Sequence, residues 1–112
     1  MNQISLPYQN LVAFQVAKQL VQAVVAADIK DAELKDQATR AVKSAALNTA
    51  EGAGRQSPRD KARVFAIARG EAAEAAAAVE IAAALGATGQ QAELAVRAIA
   101  ARLCAMLYAL SK

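Results

Sequence analysis

Between Asn48 and Pro58 the chain reads Asn48-Thr49-Ala50-Glu51-Gly52-Ala53-Gly54-Arg55-Gln56-Ser57-Pro58. This joint constrains the fold more than any other stretch. Gly52 and Gly54 end one long helical pattern, and Ser57 and Pro58 open the next. A serine at an N-cap accepts a hydrogen bond from the free amides of the first turn, and a proline just after it removes an amide that would be orphaned anyway. With so few residues between them, two long helices must fold back on each other as antiparallel neighbours.

The remaining boundaries follow from caps and periodicity. A first helix is predicted from about Asn10 to Ala27, closed by Asp28, with a stripe Ala13, Ala17, Leu20, Val24 and Ala27 widened by Phe14, Val21 and Val25. A second is predicted from about Asp31 to Ala53 on the seam Leu34, Ala38, Ala41, Ala45, Asn48 and Gly52. The third opens at Ser57, carries Asp60 in its first turn and ends at Gly86. The fourth starts at Thr88, where Gln91 three residues on suggests a capping box, and carries Val96, Ile99, Leu103, Met106 and Leu110. The expected fold is all-α, an antiparallel up-down-up-down four-helix bundle forming one domain over residues 1–112. Thirty-two alanines against five glycines and two prolines agree with it.

That alanine content raises a second expectation. Between Ala72 and Ala84 the third helix is alanine on nearly every face. A helix apolar most of the way round packs on more than one side, which a single thin bundle cannot provide. Neighbouring subunits are one explanation, and simple helix propensity is the other. Leu47, on the far side of the second helix from its seam, adds to the case for an interface.

Polar residues at core-facing positions allow further readings. Asn48 falls in the second helix's seam, and Glu71 and Glu74 fall on the stripe of Val64, Ile67, Ala78 and Leu85. A seam asparagine fixes register, and buried carboxylates need partners, for which Arg40, Arg69 and Arg102 are within reach. Asn48 and Glu51 are expected to be structural, tying the joint to Tyr8, Asn10 or Tyr108. A carboxylate-bridged metal site is the alternative, but such sites in bundles add histidines, and the chain has none.

The absence of histidine also removes the commonest general base. Ser44 and Ser57 lack a base, and Cys104 lies on an apolar stripe with no acid–base neighbour. Gly52-Ala53-Gly54 does not follow a strand, so it is a cap and turn, not a dinucleotide fingerprint. No enzymatic activity, catalytic residue, cofactor or metal is expected. Every long apolar run is broken well before roughly 18 residues, so no membrane span is expected. Met1-Asn2-Gln3-Ile4 lacks the basic region of a secretory signal, and a lone cysteine suits a reducing compartment, so the expected location is cytoplasmic.

Charge is uneven beneath the net +3. From Lys35 to Arg69 eight basic residues face three acidic ones, and from Gly70 to Val96 there are four acids and no base. Arg55, Arg59, Lys61 and Arg63 gather beside the joint, with Arg59 and Arg63 four apart and so on one helix face. Such an edge attracts nucleic acid, and a solvated surface has the same composition.

Several of these residues resemble one family. Tyr8-Gln9-Asn10-Leu11-Val12-Ala13-Phe14-Gln15 is similar to its aromatic-x-x-Leu-x-x-aromatic-Gln opening. The likeness continues through Ala41-Val42-Lys43-Ser44, Asn48 to Arg55, Ile67-Ala68-Arg69-Gly70-Glu71-Ala72-Ala73-Glu74 and Leu85-Gly86. The pattern resembles the four-helix-bundle proteins from open reading frames within intervening sequences of bacterial 23S ribosomal RNA genes. Accessory variability proteins of diversity-generating retroelements share that fold. Asn48, Glu51, Gly52, Gly54, Arg69, Gly70 and Glu74 are the motif positions. The chain departs from the pattern at Ala46 (for proline), Thr49 (for isoleucine), Ala53 (for an aromatic) and Glu71 (for serine). The resemblance implies a homopentamer and, for the retroelement members, a basic surface that binds nucleic acid and a reverse transcriptase. Two expectations follow: an oligomeric nucleic-acid-binding accessory protein, or an adaptor oligomer that binds a protein partner without touching nucleic acid.

Overall fold

A computed structural model describes residues 4–112. Met1–Gln3, on which the expected lack of a secretory signal partly rests, lie outside the described residues. Four helices follow one another: α1 (Val12–Ala26), α2 (Ala32–Gly54), α3 (Pro58–Ala84) and α4 (Gln90–Leu110). Each packs against its neighbours in order, and α4 returns to α1, so the helices stand at the corners of a four-helix bundle.

Three helix ends use the chemistry that the sequence announces. The Asp31 carboxylate accepts from the Leu34 amide at 2.9 Å, and the Ser57 hydroxyl from the Asp60 amide at 3.0 Å. Past α3, Gly86 takes φ +75 while its amide bonds Ala83 O and the Ala87 amide bonds Ala82 O. That paired arrangement needs a left-handed residue just past the helix, where glycine is unstrained. Asp28 does the same job after α1 at φ 45, with the Lys30 ammonium 2.7 Å from its carboxylate. That hydrogen bond holds the Asp28 carboxyl below the usual range.

The start of α4 differs from expectation. No capping box forms; Gly89 is the N-cap, without a side-chain bond. The Thr88 hydroxyl instead donates to Ala27 O at 2.6 Å, and the Lys30 amide donates to Ala87 O at 2.8 Å. A helix-terminal carbonyl without a partner is costly, and Ala27 itself is buried, so the hydroxyl goes to the greater need. These two bonds fasten the α1–α2 turn to the α3–α4 turn at one end of the bundle.

Cross-helix contacts set α2 against α3 and α3 against α4 in antiparallel register. Asn48 meets Glu71, Arg69 O meets Cys104, and Glu80 meets Arg97, each pair spanning a turn. The core is built from Leu20, Leu103, Leu107 and the valines 16, 42, 64, 79 and 96, all essentially inaccessible. Ala38, Ala45, Ala68, Ala72, Ala75 and Ala82 fill the gaps between them. Fully burying one leucine or valine side chain stabilises by about 1.5–3 kcal/mol.

The expected stripes need correcting in places. Val16 belongs to the α1 core, while Val25 is 66% exposed. In α2, Thr49 points into the core and Asn48 is only half-buried. The α3 stripe runs through Val64, Phe65, Ala68, Ala72, Ala75, Val79 and Ala82, leaving Ile67, Glu74 and Leu85 exposed and Glu71 half-buried. An alanine-covered wheel has little contrast, so the few large residues bias its apparent inner face. Among the described residues no helix is long and apolar enough to cross a membrane.

Candidate nucleic-acid interface

The α2–α3 joint is tight because a glycine lets a ring through. A Cβ placed on Gly52 would lie 2.7 Å from Phe65 Cε1 and 2.8 Å from Cδ1, too close for any real contact. Phe65 therefore plugs the joint from α3, with 4% of its surface exposed. Gly54 ends α2 near Pro7, at ordinary contact distance. Arg55 then turns extended, and three residues later α3 begins.

The basic residues of this joint have different roles. Lys61 reaches back to α2, its ammonium 2.7 Å from Ala53 O and 3.4 Å from Gly52 O. A cation on the last carbonyls of a helix satisfies orphan acceptors and opposes the negative end of the dipole. Lys61 is thus a C-terminal cap of α2. Arg55 bridges Glu51 at 3.1 Å and Asp60 at 3.3 Å. Arg63 holds the other Asp60 oxygen through Nε at 3.1 Å and Nη2 at 2.9 Å. Arg59 is exposed and has no ion pair among the described residues. Ser57, Arg59, Asp60 and Arg63 line an open hollow of about 330 Å³ at the start of α3. The Arg63 side of this pair is open to solvent, its side chain 58% exposed against 32% for Asp60.

Other motif positions fall apart in space. Asn48 Nδ2 donates to Glu71 Oε1 at 2.7 Å, linking α2 to α3 across the outside of the core. The expected tie from Asn48 and Glu51 to Tyr8, Asn10 or Tyr108 does not form among the described residues. Nor do the arginines pair with Glu71 or Glu74: Arg40 meets Asp36 at 3.4 Å, and Arg69 lies over the Tyr108 ring. Asparagine reaches Glu71 first because residues 48 and 71 are level in the antiparallel register. Gly70 and Glu74 are exposed on α3, and nothing lies within 4 Å of a Cβ built on Gly70.

Three features escape a reading of local spacing. Thr49 is the one fully buried polar side chain described, its hydroxyl satisfied by Ala45 O at 2.7 Å. Arg69 and Lys112 both approach Tyr108, at 5.1 and 5.0 Å from the ring centroid. The third is the polarity of the whole bundle. Folding carries Arg55, Arg59, Lys61, Arg63, Arg69 and Lys112 into the end that holds the α2–α3 joint, against Glu51 and Asp60, while Lys18, Lys43, Glu71, Glu74 and Arg102 lie around mid-bundle. The opposite end holds Asp28, Asp31, Glu33, Asp36, Glu80 and Glu93 against Lys30, Lys35, Arg40 and Arg97. Antiparallel register pairs Glu80 with Arg97 and Arg69 with Tyr108 at the same offset, a signal available once the turn is placed.

Among the described residues no cluster of three carboxylate or thiol groups gathers to hold a metal ion. Cys104 is half-buried, its thiol donating to Arg69 O at 3.6 Å. Burial pushes that thiol above its usual value, with Arg69 opposing.

No curated protein matches the chain. A family model does, and its span runs from the residue after Tyr8 almost to the end of α4, taking in the joint, the Asn48–Glu71 pair and the basic end except Lys112. With residues 9–109 matched to the model for the 23S rRNA-intervening sequence protein, the chain belongs to that family.

Proposed function

We propose that this protein is a non-enzymatic, cytoplasmic, oligomeric accessory protein that binds nucleic acid, RNA or DNA, through the basic end around the α2–α3 joint. The gathering of six basic side chains against two acidic ones at the joint end of the bundle carries this reading. A surface of one sign gathers a polyanion whatever its sequence. Arg59 and Arg63 are its principal phosphate contacts, Arg55 a secondary one, and Lys61 holds the joint in shape. The family name, with its reference to a ribosomal RNA gene, favours an RNA-related setting.

Assembly multiplies this surface. The outward side of α3 presents Ala66, Gly70, Ala73, Ala77 and Ile81 to solvent, and Leu47 on α2 is 71% exposed. A homopentamer, as the resemblance implies, covers such small-residue faces and repeats the basic end five times around a ring.

The test is charge reversal. Arg59→Glu with Arg63→Glu should weaken binding to all sequences alike at low salt, with melting and oligomer size unchanged. Binding that survives the reversal removes the assignment. One observation favours a second reading, an adaptor that engages a protein partner such as a reverse transcriptase: three of the four joint cations already have partners within the chain. The chain has no tryptophan and absorbs weakly, so co-purifying nucleic acid is conspicuous in an ultraviolet spectrum. Its absence, together with no binding at low salt, would support the adaptor.

A further inference from the structure

Tyr108 lies on α4 at the basic end and keeps 52% of its surface exposed. Its setting is more specific than that of a stray surface aromatic. The Arg69 guanidinium comes across the α3–α4 seam to 5.1 Å from the ring centroid, and the Lys112 ammonium stands at 5.0 Å. One turn before Tyr108, the Cys104 thiol bonds the carbonyl of Arg69 and sets the register in which ring and guanidinium meet. Along α3, Arg69 is six residues from Arg63, a rise of about 9 Å, and Arg63 is four from Arg59, about 6 Å more. Those six residues also turn about 240° around the helix, so Arg69 faces the α4 seam while Arg59 and Arg63 share another face, and the ring stands at the same end of the bundle as these cations.

An aromatic face between two cations has a definite complement. Duplex nucleic acid hides its base faces in the stack and offers phosphates and base edges, for which a ring is of little use. An unpaired base offers an open π-face, and stacking on an aromatic side chain is how proteins hold single strands without reading sequence. A guanidinium over the same ring reinforces the stack, and an ammonium on a flexible stem moves from ring to phosphate as the base arrives.

We propose that Tyr108, flanked by Arg69 and Lys112, is a stacking platform for one unpaired base, so that the basic end prefers single-stranded to double-stranded nucleic acid. This rests on the nucleic-acid reading given above and deepens it by naming the ligand's form.

The experiment uses the full chain with a labelled mixed-sequence 20-nucleotide strand and the duplex made from it, titrated in parallel at low salt. The parent should bind the single strand more tightly. Tyr108→Ala should weaken single-strand binding by about ten-fold, the contribution of one base–aromatic stack, and leave duplex binding unchanged. Tyr108→Phe, which keeps the ring, should retain the preference. Tyrosine emission gives a second readout, because only Tyr8 and Tyr108 emit in a chain without tryptophan. The single strand should quench the parent's emission and fail to quench that of Tyr108→Phe. Equal weakening of both ligands by Tyr108→Ala, no weakening, or quenching that persists in Tyr108→Phe would overturn the platform while leaving the basic end intact. Failure of the parent to bind either ligand would overturn both.

Discussion

Gly52→Ala adds one methyl group at the point where the Phe65 ring of α3 lies against the backbone of α2. The added carbon would stand 2.7, 2.8 and 3.2 Å from three atoms of the Phe65 ring. That ring is 4% exposed and held between helices, so it has no open side to move toward. Overpacking of a filled core costs about 1–3 kcal/mol. Replacing a helical glycine by alanine returns roughly 0.5–1 kcal/mol of backbone entropy. The steric term wins, and the net destabilisation is about 1–2 kcal/mol. For a chain of this size each kcal/mol lowers Tm by about 4–8 °C. Thermal unfolding followed by circular dichroism measures it, and a cycle with Phe65→Leu separates the causes. In the Phe65→Leu background the same methyl meets a smaller side chain, so Gly52→Ala should be close to neutral there. A Gly52→Ala protein that melts at or above the parent would refute the account of the joint.

Other consequences are quicker to state. Asn48→Ala removes the 2.7 Å bond to Glu71 and should cost about 1 kcal/mol, whereas Glu51→Ala loses only an exposed pair and should change stability by less than about 0.5 kcal/mol, both by denaturant titration. The proposed oligomer should appear in light scattering of the parent, and Ala77→Glu, on the exposed face of α3, should dissociate it without unfolding the chain; a monomeric parent would remove the assembly, and unchanged size in the variant would place the interface elsewhere. Ala76 is only 8% exposed, so Ala76→Glu would unfold the monomer and is not a clean test. Cys104, its pKa raised by burial, should alkylate more slowly than a small free thiol at pH 8. The neutral thiol's contribution to stability is complete below the unfolded thiol pKa and is lost as pH rises through the folded one, so parent Tm should fall relative to Cys104→Ala above about pH 8.5.

Helix ends were legible wherever a residue's own chemistry dictates them. Asp31, Ser57-Pro58 and Gly86 each satisfy or terminate a helix through local bonds, and each is used as its sequence position suggests. Thr88 misled because its hydroxyl answers a carbonyl on Ala27, sixty-one residues away, which no local pattern reports. The α3 face misled for a different reason. Its inner side is mostly alanine, so Ile67 and Leu85 drew the stripe outward although both are exposed. At the candidate interface, the sequence placed four cations near one another but could not divide their work. Lys61 caps α2 and Arg63 grips Asp60 because of where the turn directs each side chain. Lys112 joins the basic end only through the return of α4, which also brings Tyr108 beside Arg69.

Salt dependence of binding tests the central claim most directly. The parent is titrated with a mixed-sequence oligonucleotide at several salt concentrations between 50 and 200 mM, and log affinity is plotted against log salt. Each phosphate neutralised contributes a slope of about −0.7 to −0.9. If Arg59 and Arg63 both contact phosphate, the slope should be at least about −1.5 for each engaged chain, and steeper where several chains of a ring contact one strand. The Arg59→Glu, Arg63→Glu protein should show a shallower line at lower affinity. A flat line for the parent, or no binding at 50 mM salt, would contradict the basic end as a nucleic-acid interface.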